Sequence, residues 1–595
     1  MNDYKAPLAD MRFALFDVLD APALYARLPG CDHATREIAD AVLEEAARFN
    51  QTVLAPLNSV GDAQGCRFDA SDGSVTTPDG FREAYRQFVD NGWAGLTVAE
   101  AYDGQNLPES LGAVVKEMID AANLAWGTYP LLSHGQVEAL RQHGEPWQRE
   151  AFLRPIAQGR WTGTMCLTEA HCGTDLGLLK TRAEPLGDGS HAISGTKIFI
   201  TAGEHDLTDN IVHLVLARVP DAPTGTRGIT MFIVPKFKVG RDGAMGERNA
   251  VRCGSIEHKM GIKGSATCVI HFDGAQGWMI GGENRGLAAM FTMMNTARLA
   301  VGLQGLGLIE RAYQNSLAYA KDRLQMRALS GAKHPDKPAD PIIVHPDVRR
   351  MLLTQKAFVE GGRCLTYHAA TLVDVIHRSD DAGERARAEE LLSFLTPIVK
   401  GLMTESAIEC TYHALQIFGG HGYVHEWGME QLARDARITT IYEGTTQIQA
   451  LDLVGRKLLQ SKGAGLMQVL AMISGFCSDH AKDPALGEFV APLAQITQEW
   501  QSIALEIGRK AVENPDEIGA AAVDYLWYSG YVLLAYWWAR SVAAADASGH
   551  DQAFRDAKRH TARFYFARIL PRAVAHGAAI RAGAATLLDI PESSL

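Results

Sequence analysis

The hydrophobic pattern of this chain changes its period twice along 595 residues. Apolar residues recur at three- and four-residue spacing over residues 36–159, which predicts helices. From Trp161 the pattern changes to short β-rich runs bounded by Gly, Asp or Pro, among them HAISGTKIFITAG and IVHLVLARV. The helical spacing returns at Gly286 and continues through the rest of the chain. We therefore predict an α+β fold in which an antiparallel β-domain lies between helical domains.

The changes of period also place the domain boundaries. A chain of this length can hold several domains of ordinary size. We predict an N-terminal extension over residues 1–35, a helical domain over 36–160, a middle β-domain over 161–285, a second helical domain over 286–457 and a further helical module over 458–595. A Pro-rich segment, SGAKHPDKPADPIIVHP, interrupts the second helical domain and predicts an exposed loop.

The charge and the cysteines of the chain limit its partners and its compartment. The formal charge of -12 opposes sequence-independent binding of nucleic acid, which needs a strong positive field. The nine cysteines include no CxxC pair, which predicts reduced thiols in the cytoplasm. The first residues show no basic flank followed by an apolar run, so we expect no secretory signal there.

The most apolar segment is YLWYSGYVLLAYWWA, residues 525–539. A helix of this length measures about 22 Å, which is shorter than a bilayer core of roughly 30 Å. We interpret the segment as a buried helix, with an interfacial membrane helix as the alternative, and we expect no membrane partner.

Two common cofactor motifs are absent from the sequence. No GxGxxG follows a predicted strand and no GxxxxGK occurs, so a Rossmann dinucleotide site is not expected. His421 and His425 are four residues apart, but no HExxH motif contains them. We predict no metal site.

One carboxylate has two interpretations. In RDARITTIYEGTTQIQ, residues 434–449, Glu443 directly precedes Gly444 and two threonines. Because an acid near a helix N-terminus is favoured by the helix dipole, Glu443 could simply begin a helix. A catalytic role is the alternative that this segment leaves open.

Four segments together resemble the acyl-CoA dehydrogenase family. IYEGTTQIQ is similar to its catalytic-base signature, CLTEAHCGTD to its flavin-binding motif, KIFITAG to the strand beside the isoalloxazine ring, and LQIFGGHGY to the segment that meets the FAD pyrophosphate of the neighbouring subunit. The segments follow one another in the family's order over about residues 80–456. The resemblance implies an N-terminal helical domain, a middle β-domain and a C-terminal helical bundle around FAD.

The resemblance implies a reaction and the roles of several residues. Glu443 removes the α-proton of an acyl-CoA thioester while the flavin accepts hydride from the β-carbon, giving trans-2-enoyl-CoA. The main-chain N–H of Glu443 and a ribityl hydroxyl stabilise the thioester carbonyl, and Gly444 allows a close approach of the substrate. Thr168 and Thr201 donate hydrogen bonds to the flavin, and Phe199 packs on its ring, where many relatives carry Trp.

Other positions match the family's cofactor and substrate residues. Arg323 pairs with the cofactor pyrophosphate, Thr174 contacts an FAD phosphate where relatives carry Ser, and Arg298 orders the substrate site near the base. The remaining positions toward FAD are Gln416, Gly419, Gly420, Thr445 and Gln447. The flavin-binding motif departs from the family's TEPxxGSD at Ala170, and His171 and Cys172 follow; we expect His171 to be exposed.

The outer segments resemble a large bacterial branch of the family that includes 3-methylmercaptopropionyl-CoA dehydrogenases and broad-specificity fatty acyl-CoA enzymes. The branch implies a homodimer, a fatty acyl-CoA or 3-methylmercaptopropionyl-CoA as substrate, and an electron-transfer flavoprotein as acceptor. One alternative is a flavin oxidase of the same fold, although nitroalkane oxidases typically carry Asp in place of Glu443. A DNA-associated alkylation-response flavoprotein is the other, which the balanced charge of residues 458–595 disfavours.

Overall fold

The structure is a computed structural model that describes residues 4–595, so residues 1–3 of the predicted N-terminal extension lie outside the described residues. Helices precede and follow the predicted β-domain. They are α1 (Leu8–Arg12), α2 (Ala21–Arg27), α3 (Arg36–Phe49), α4 (Leu57–Gln64), α5 (Phe81–Asp90), α6 (Glu109–His143), α7 (Pro146–Gln148), α8 (Arg154–Ala157), α9 (Gly286–Asp322), α10 (Pro346–Arg378), α11 (Ala382–Phe418), α12 (Met429–Thr439), α13 (Thr446–Leu451), α14 (Ala464–Asp479), α15 (Gly487–Glu513), α16 (Asp516–Ala547), α17 (Gln552–Phe564), α18 (Arg572–Ala582) and α19 (Ala585–Leu588).

The strands form one large sheet and two small hairpins. They are β1 (Arg67–Asp69), β2 (Ser74–Thr76), β3 (Trp161–Cys166), β4 (Arg182–Pro185), β5 (His191–Thr201), β6 (Asn210–Ala217), β7 (Thr230–Pro235), β8 (Phe237–Val239), β9 (Met245–Arg248), β10 (Val251–Ile256) and β11 (Thr267–Ile280). The seven-stranded sheet has the order β3-β6-β7-β11-β5-β4, with β10 beside β11, while β1-β2 and β8-β9 pair separately. The predicted α+β class, with its β-domain between helical segments, is confirmed.

One pair of strands departs from the predicted antiparallel arrangement. Strands β3 and β6 run parallel, with Trp161 opposite Asn210 and Cys166 opposite Val215. A parallel pair needs a crossover connection, and residues 167–209, which include β4 and β5, provide one. The other strand pairs are antiparallel.

The chain forms two compact units, and the boundaries of the five predicted segments stay predictions. One unit comprises residues 48–107 and 122–300 and contains the large sheet. Strands β6 and β7 are buried along their whole length, which explains their nearly continuous apolar sequences. Their side chains share a core with helical residues of the same unit, among them Leu140, Phe152 and Met290.

The other unit comprises residues up to 47, 108–121 and 301–595 and contains the apolar segment 525–539. This segment is the centre of α16, and it is buried, as predicted. The helix is 32 residues long, or about 48 Å, so the predicted length of about 22 Å was wrong. Helices α11 and α16 are both long and apolar enough to cross a membrane, yet most of their apolar stretches are buried inside the protein. Their length and composition therefore do not distinguish them from core helices.

A buried ionic cluster joins distant segments of this second unit. The Arg363 guanidinium on α10 is fully buried, and its Nη2 lies 2.6 Å from Glu117 Oε1 and 2.6 Å from Glu310 Oε2. Its Nη1 also pairs with Asp10 from α1, which in turn pairs with Lys558 on α17. Burial raises the pKa of the Glu310 carboxyl even beside Arg363. Arg363 thus connects α1, α6 and α9 through three carboxylates.

Candidate active site

Glu443 lies in a strained turn between α12 and α13. The backbone of Glu443 has φ +56° and that of Gly444 has φ +92°, so two successive residues adopt the left-handed region. Glycine enters this region without steric cost, whereas a residue with a Cβ pays about 1–3 kcal/mol. Glu443 is half-buried. Strain of this kind persists where the surrounding structure enforces it, which marks Glu443 as a functional candidate.

The start of α13 tests whether Glu443 begins a helix. The Thr445 hydroxyl accepts from Ile448 N at 3.3 Å and is the N-cap of this helix. Glu443 therefore lies two residues before the cap and outside the first helical turn, so capping does not explain it. Thr445 itself has a structural role here in addition to the predicted contact with the cofactor, which stays a prediction. Gln447 is exposed on the first turn of α13.

Side chains from α11 and α13 hold the turn. Lys400 Nζ donates to Gly444 O at 2.7 Å, and Gln449 Nε2 donates to Glu443 O at 3.0 Å. Thr446 Oγ1 donates to Glu405 Oε1 at 2.5 Å. The motif analysis did not identify Lys400, Glu405 or Gln449. A lysine in the apolar run LTPIVKGLM was the available signal, because buried lysines are rare and need partners.

Tyr442 presents a neutral hydroxyl whose pKa is influenced by the charge of Glu443. Its hydroxyl donates to Gln304 Oε1 at 2.5 Å. Burial, together with the charges of Asp120 and Glu443, raises the pKa of Tyr442 well above its ordinary value. The phenol therefore stays protonated, and it anchors the residue before Glu443 to α9.

The predicted flavin face lies on the large sheet. Phe199 is 59% exposed and has φ +57° at a bulge of β5, where the pairing with β11 shifts register. Ile198 N donates to Thr168 O at 2.9 Å, which joins the flavin-binding motif to the strand that carries Phe199 and Thr201. An exposed ring on a strained backbone is uncommon and offers a face for a planar ligand. These residues fit an isoalloxazine ring.

Glu169 organises the loop after β3. Its Oε1 lies 2.9 Å from Lys197 Nζ and accepts from Thr181, while its Oε2 accepts from Lys180 N at 2.8 Å. Burial raises the pKa of Glu169, but the Lys197 ammonium and the hydrogen bonds outweigh it and lower the pKa to about 2. The buried ion pair therefore fixes the loop that carries Thr168, a role that the motif comparison did not predict.

The same loop contains a group of possible metal ligands. Glu169, His171 and Cys172 offer ligand atoms within 4.8 Å of one another. The Glu169 oxygens already accept from several donors, and the Lys197 cation beside them opposes a metal ion. His171 is exposed, as predicted, and its Nε2 contacts Leu178 O at 3.0 Å. Thr174 is also exposed, and its contact with a phosphate stays a prediction.

The predicted pyrophosphate residues lie at the ends of α9 and α11. The Tyr319 ring stacks on Phe418 at 4.1 Å between centroids, and its hydroxyl hydrogen-bonds to His421 Nδ1 at 2.9 Å. Arg323 follows one turn after Tyr319 and is exposed, as is Gln416 on α11. A Cβ added to Gly419 or Gly420 would meet no heavy atom within 4 Å. An exposed guanidinium and an open glycine backbone are each suited to a pyrophosphate group.

The structure does not show whether Arg298 contributes to the substrate site. It lies on α9, is buried, and its Nη1 is 3.5 Å from Asn295 Oδ1. Its role in ordering the substrate site stays a prediction.

The Pro-rich loop after α9 is exposed over most of its length, as predicted, but its centre is buried. Asp340 is fully buried and accepts from the backbone N–H groups of Ala328 at 3.0 Å, Lys333 at 3.0 Å and His334 at 2.7 Å. Ile342 N donates to Arg323 O at 2.8 Å. Asp340 therefore closes the loop whose returning segment donates a hydrogen bond to the backbone of Arg323.

We expect Asp340→Asn to release FAD, because an amide cannot accept from all of these donors and the loop would no longer hold Arg323. Losing a charge-assisted hydrogen bond of this kind should weaken the binding of FAD by about tenfold. The ratio of flavin absorbance to protein absorbance after gel filtration measures the loss. Asp336→Asn, an exposed acid of the same loop, is the matched control. Equal FAD content in the two variants would refute the role of Asp340.

Comparison with known proteins places these residues in a family context. Four family models match the chain: Acyl-CoA dehydrogenase, N-terminal domain, at residues 37–160, its middle domain at 164–275, its C-terminal domain at 284–459, and Acetyl-CoA dehydrogenase C-terminal like at 469–591. The 3-methylmercaptopropionyl-CoA dehydrogenase of Ruegeria pomeroyi is 41% identical over 95% of this chain and 96% of its own.

Two further relatives agree with this similarity. The broad-specificity linear acyl-CoA dehydrogenase FadE5 of Mycobacterium tuberculosis is 34% identical over 96% of each chain. An acyl-CoA dehydrogenase of Bacillus anthracis, solved in complex with FAD, matches the fold with a TM-score of 0.74 at 19% identity, over 92% of this chain and 88% of that one.

Proposed function

The chain belongs to the acyl-CoA dehydrogenase family, and we propose on this basis that Glu443 is the base that removes the α-proton of an acyl-CoA thioester. The protein is an FAD-dependent acyl-CoA dehydrogenase. The observation that carries the assignment of the base is the left-handed backbone of Glu443, which is held by two side chains and has no capping role.

The proposed chemistry begins at the α-carbon. The α-proton of a thioester is weakly acidic, so its removal needs a carboxylate in a water-poor site and a donor for the developing enolate oxygen. We expect the Glu443 carboxylate to take the proton and its main-chain N–H to donate to the thioester carbonyl. Gly444 leaves room for the thioester beside the backbone. When bound, FAD supplies the two-electron acceptor for the hydride that leaves the β-carbon.

Two groups of residues would hold the cofactor. The first, on the large sheet, comprises Thr168, Phe199 and Thr201, which a backbone hydrogen bond and a shared strand bring together. The second comprises Arg323 at the end of α9 and Gln416, Gly419 and Gly420 at the end of α11, where the last three would contact the pyrophosphate of the neighbouring subunit's FAD. Phe199 offers a smaller stacking surface than the tryptophan of many relatives, so the ring contact is retained with less area.

For the substrate we propose a fatty acyl-CoA of short to medium chain length or 3-methylmercaptopropionyl-CoA. The relative from Ruegeria pomeroyi supports the thioether acyl group, and FadE5 supports a linear chain. The two groups are nearly isosteric, and a hydrophobic pocket separates groups that differ by one methylene by only about 1–3 kcal/mol. Overlapping activity toward both is therefore expected.

We also propose a cytoplasmic homodimer that passes its electrons to an electron-transfer flavoprotein. The segment at the end of α11 supports the dimer, because Tyr423 is 83% exposed and Val424 and Tyr412 are exposed as well. An apolar surface of this kind next to the predicted pyrophosphate residues suits a second subunit. Sedimentation of the purified protein measures its oligomeric state.

An anaerobic titration with a panel of acyl-CoAs tests the proposed function. We expect one chain length, or 3-methylmercaptopropionyl-CoA, to bleach the oxidised flavin absorbance promptly and stoichiometrically. Mass spectrometry should find the matching enoyl-CoA. Bound FAD that no thioester bleaches would refute the proposed substrate class and favour an oxidase of the same fold. Rapid reoxidation of the reduced protein by air would point to that alternative as well.

A further inference from the structure

A buried lysine reaches the backbone of the catalytic turn. Lys400 lies in the middle of α11 and is fully buried, and its Nζ is 2.7 Å from Gly444 O. Burying a lysine side chain is unfavourable unless its polar end is satisfied. The hydrogen bond joins residues 44 positions apart in the chain. Lys400 therefore makes a specific tertiary contact with the residue that follows the proposed base.

The hydrogen bond from Lys400 lies at a strained part of the backbone. Glu443 and Gly444 both have positive φ values, and a turn of this kind relaxes when nothing holds its carbonyl groups. Lys400 holds the carbonyl of Gly444. Gln449 Nε2 holds the carbonyl of Glu443 at 3.0 Å and lies 3.5 Å from that of Gly444. The two side chains come from α11 and α13. Gln449 restrains the peptide group that follows Glu443, and Lys400 restrains the next one, which follows Gly444.

We propose that Lys400 is a positioning residue for Glu443, which it acts on through Gly444 O, with Gln449 as its partner. The inference rests on the proposed function of Glu443 as the base. A base must reach the α-proton within hydrogen-bonding distance, and a misplacement of about 1 Å can lower the rate by about 100-fold. Lys400 thus contributes to proton removal without touching the substrate.

Lys400→Met tests the proposal, because methionine has a similar length but cannot donate. We expect kcat to fall by about 10- to 100-fold while KM changes by less than about twofold. A second measurement follows the exchange of the substrate α-proton with deuterated water by mass spectrometry, in the absence of an electron acceptor. This exchange reports on the base alone, and its rate should fall by a similar factor. Lys400→Arg, which retains a charged donor, should recover part of the rate.

Matched variants separate positioning from general damage to α11. Thr411→Val removes a buried hydroxyl three turns later on α11 that donates to Ala407 O and Ile408 O of its own helix, and it should leave the exchange rate unchanged. If Lys400→Met loses FAD or melts far below Thr411→Val, Gln449→Leu provides the same test from α13. Exchange within twofold of the wild-type rate in both variants would overturn the proposal. Exchange that persists in Glu443→Gln would instead refute the proposed base.

Discussion

Replacing Glu443 by glutamine should lower turnover by about 10²- to 10⁴-fold while FAD stays bound. Glutamine has nearly the shape of glutamate, so the restraints on the turn by Lys400 and Gln449 remain. Its amide cannot accept the α-proton as a carboxylate does. Stopped-flow measurement of flavin bleaching by the best acyl-CoA of the panel gives the rate, and the flavin spectrum after gel filtration gives the FAD content.

A second glutamate serves as the control for this variant. Glu389 is exposed on α11, so Glu389→Gln should keep the wild-type rate. A Glu443→Gln variant with FAD bound and a rate within about tenfold of wild type would rule out Glu443 as the base. A variant that loses FAD together with activity would assign Glu443 a structural role in the turn instead.

The second large effect is expected from Arg363→Met. This change leaves Glu117 and Glu310 buried without their cation and removes one partner of Asp10. Removing one member of a buried ionic group leaves the other charges buried without a partner, so the free energy of unfolding should fall by about 3–5 kcal/mol. Denaturant unfolding of the FAD-loaded protein measures the loss.

The pH dependence of the free energy of unfolding distinguishes buried charges without a partner from lost packing. Carboxylates that lose their cation in the folded state have raised pKa values there, so the folded variant binds extra protons as the pH falls. The loss of unfolding free energy caused by Arg363→Met should therefore become smaller as the pH falls from about 8 to about 5. A deficit independent of pH would indicate a packing defect.

An exposed arginine on the same helix supplies the comparison. Arg350 Nε lies 2.7 Å from Asp347 Oδ1 at the surface of α10. Surface pairs contribute about 0–1 kcal/mol, so Arg350→Met should unfold close to wild type. Equal midpoints for the two variants would show that the cluster around Arg363 contributes little to stability.

Much of the architecture follows from the sequence alone. The change from a period near 3.6 to a period near 2 at Trp161, and back at Gly286, correctly predicted helices, then strands, then helices, because hydrophobic period reports local burial. Motif order also identified the family. The sequence placed Glu443 before a glycine but did not predict its conformation, and the structure shows both residues in the left-handed region.

Only the tertiary structure decided which polar groups meet. Sequence patterns did not identify Lys400, Gln449, Asp340 or the Arg363 cluster, and they did not predict the parallel pairing of β3 with β6. Lys400 and Gly444 are 44 residues apart, and Arg363 and Glu117 are 246 apart. The physical reason is that periodicity records how each segment meets solvent, whereas a hydrogen bond or ion pair depends on where two distant segments are brought together. The sequence by itself therefore determined the succession of elements and the chemical nature of the site, and tertiary packing determined the restraints that hold Glu443 in place.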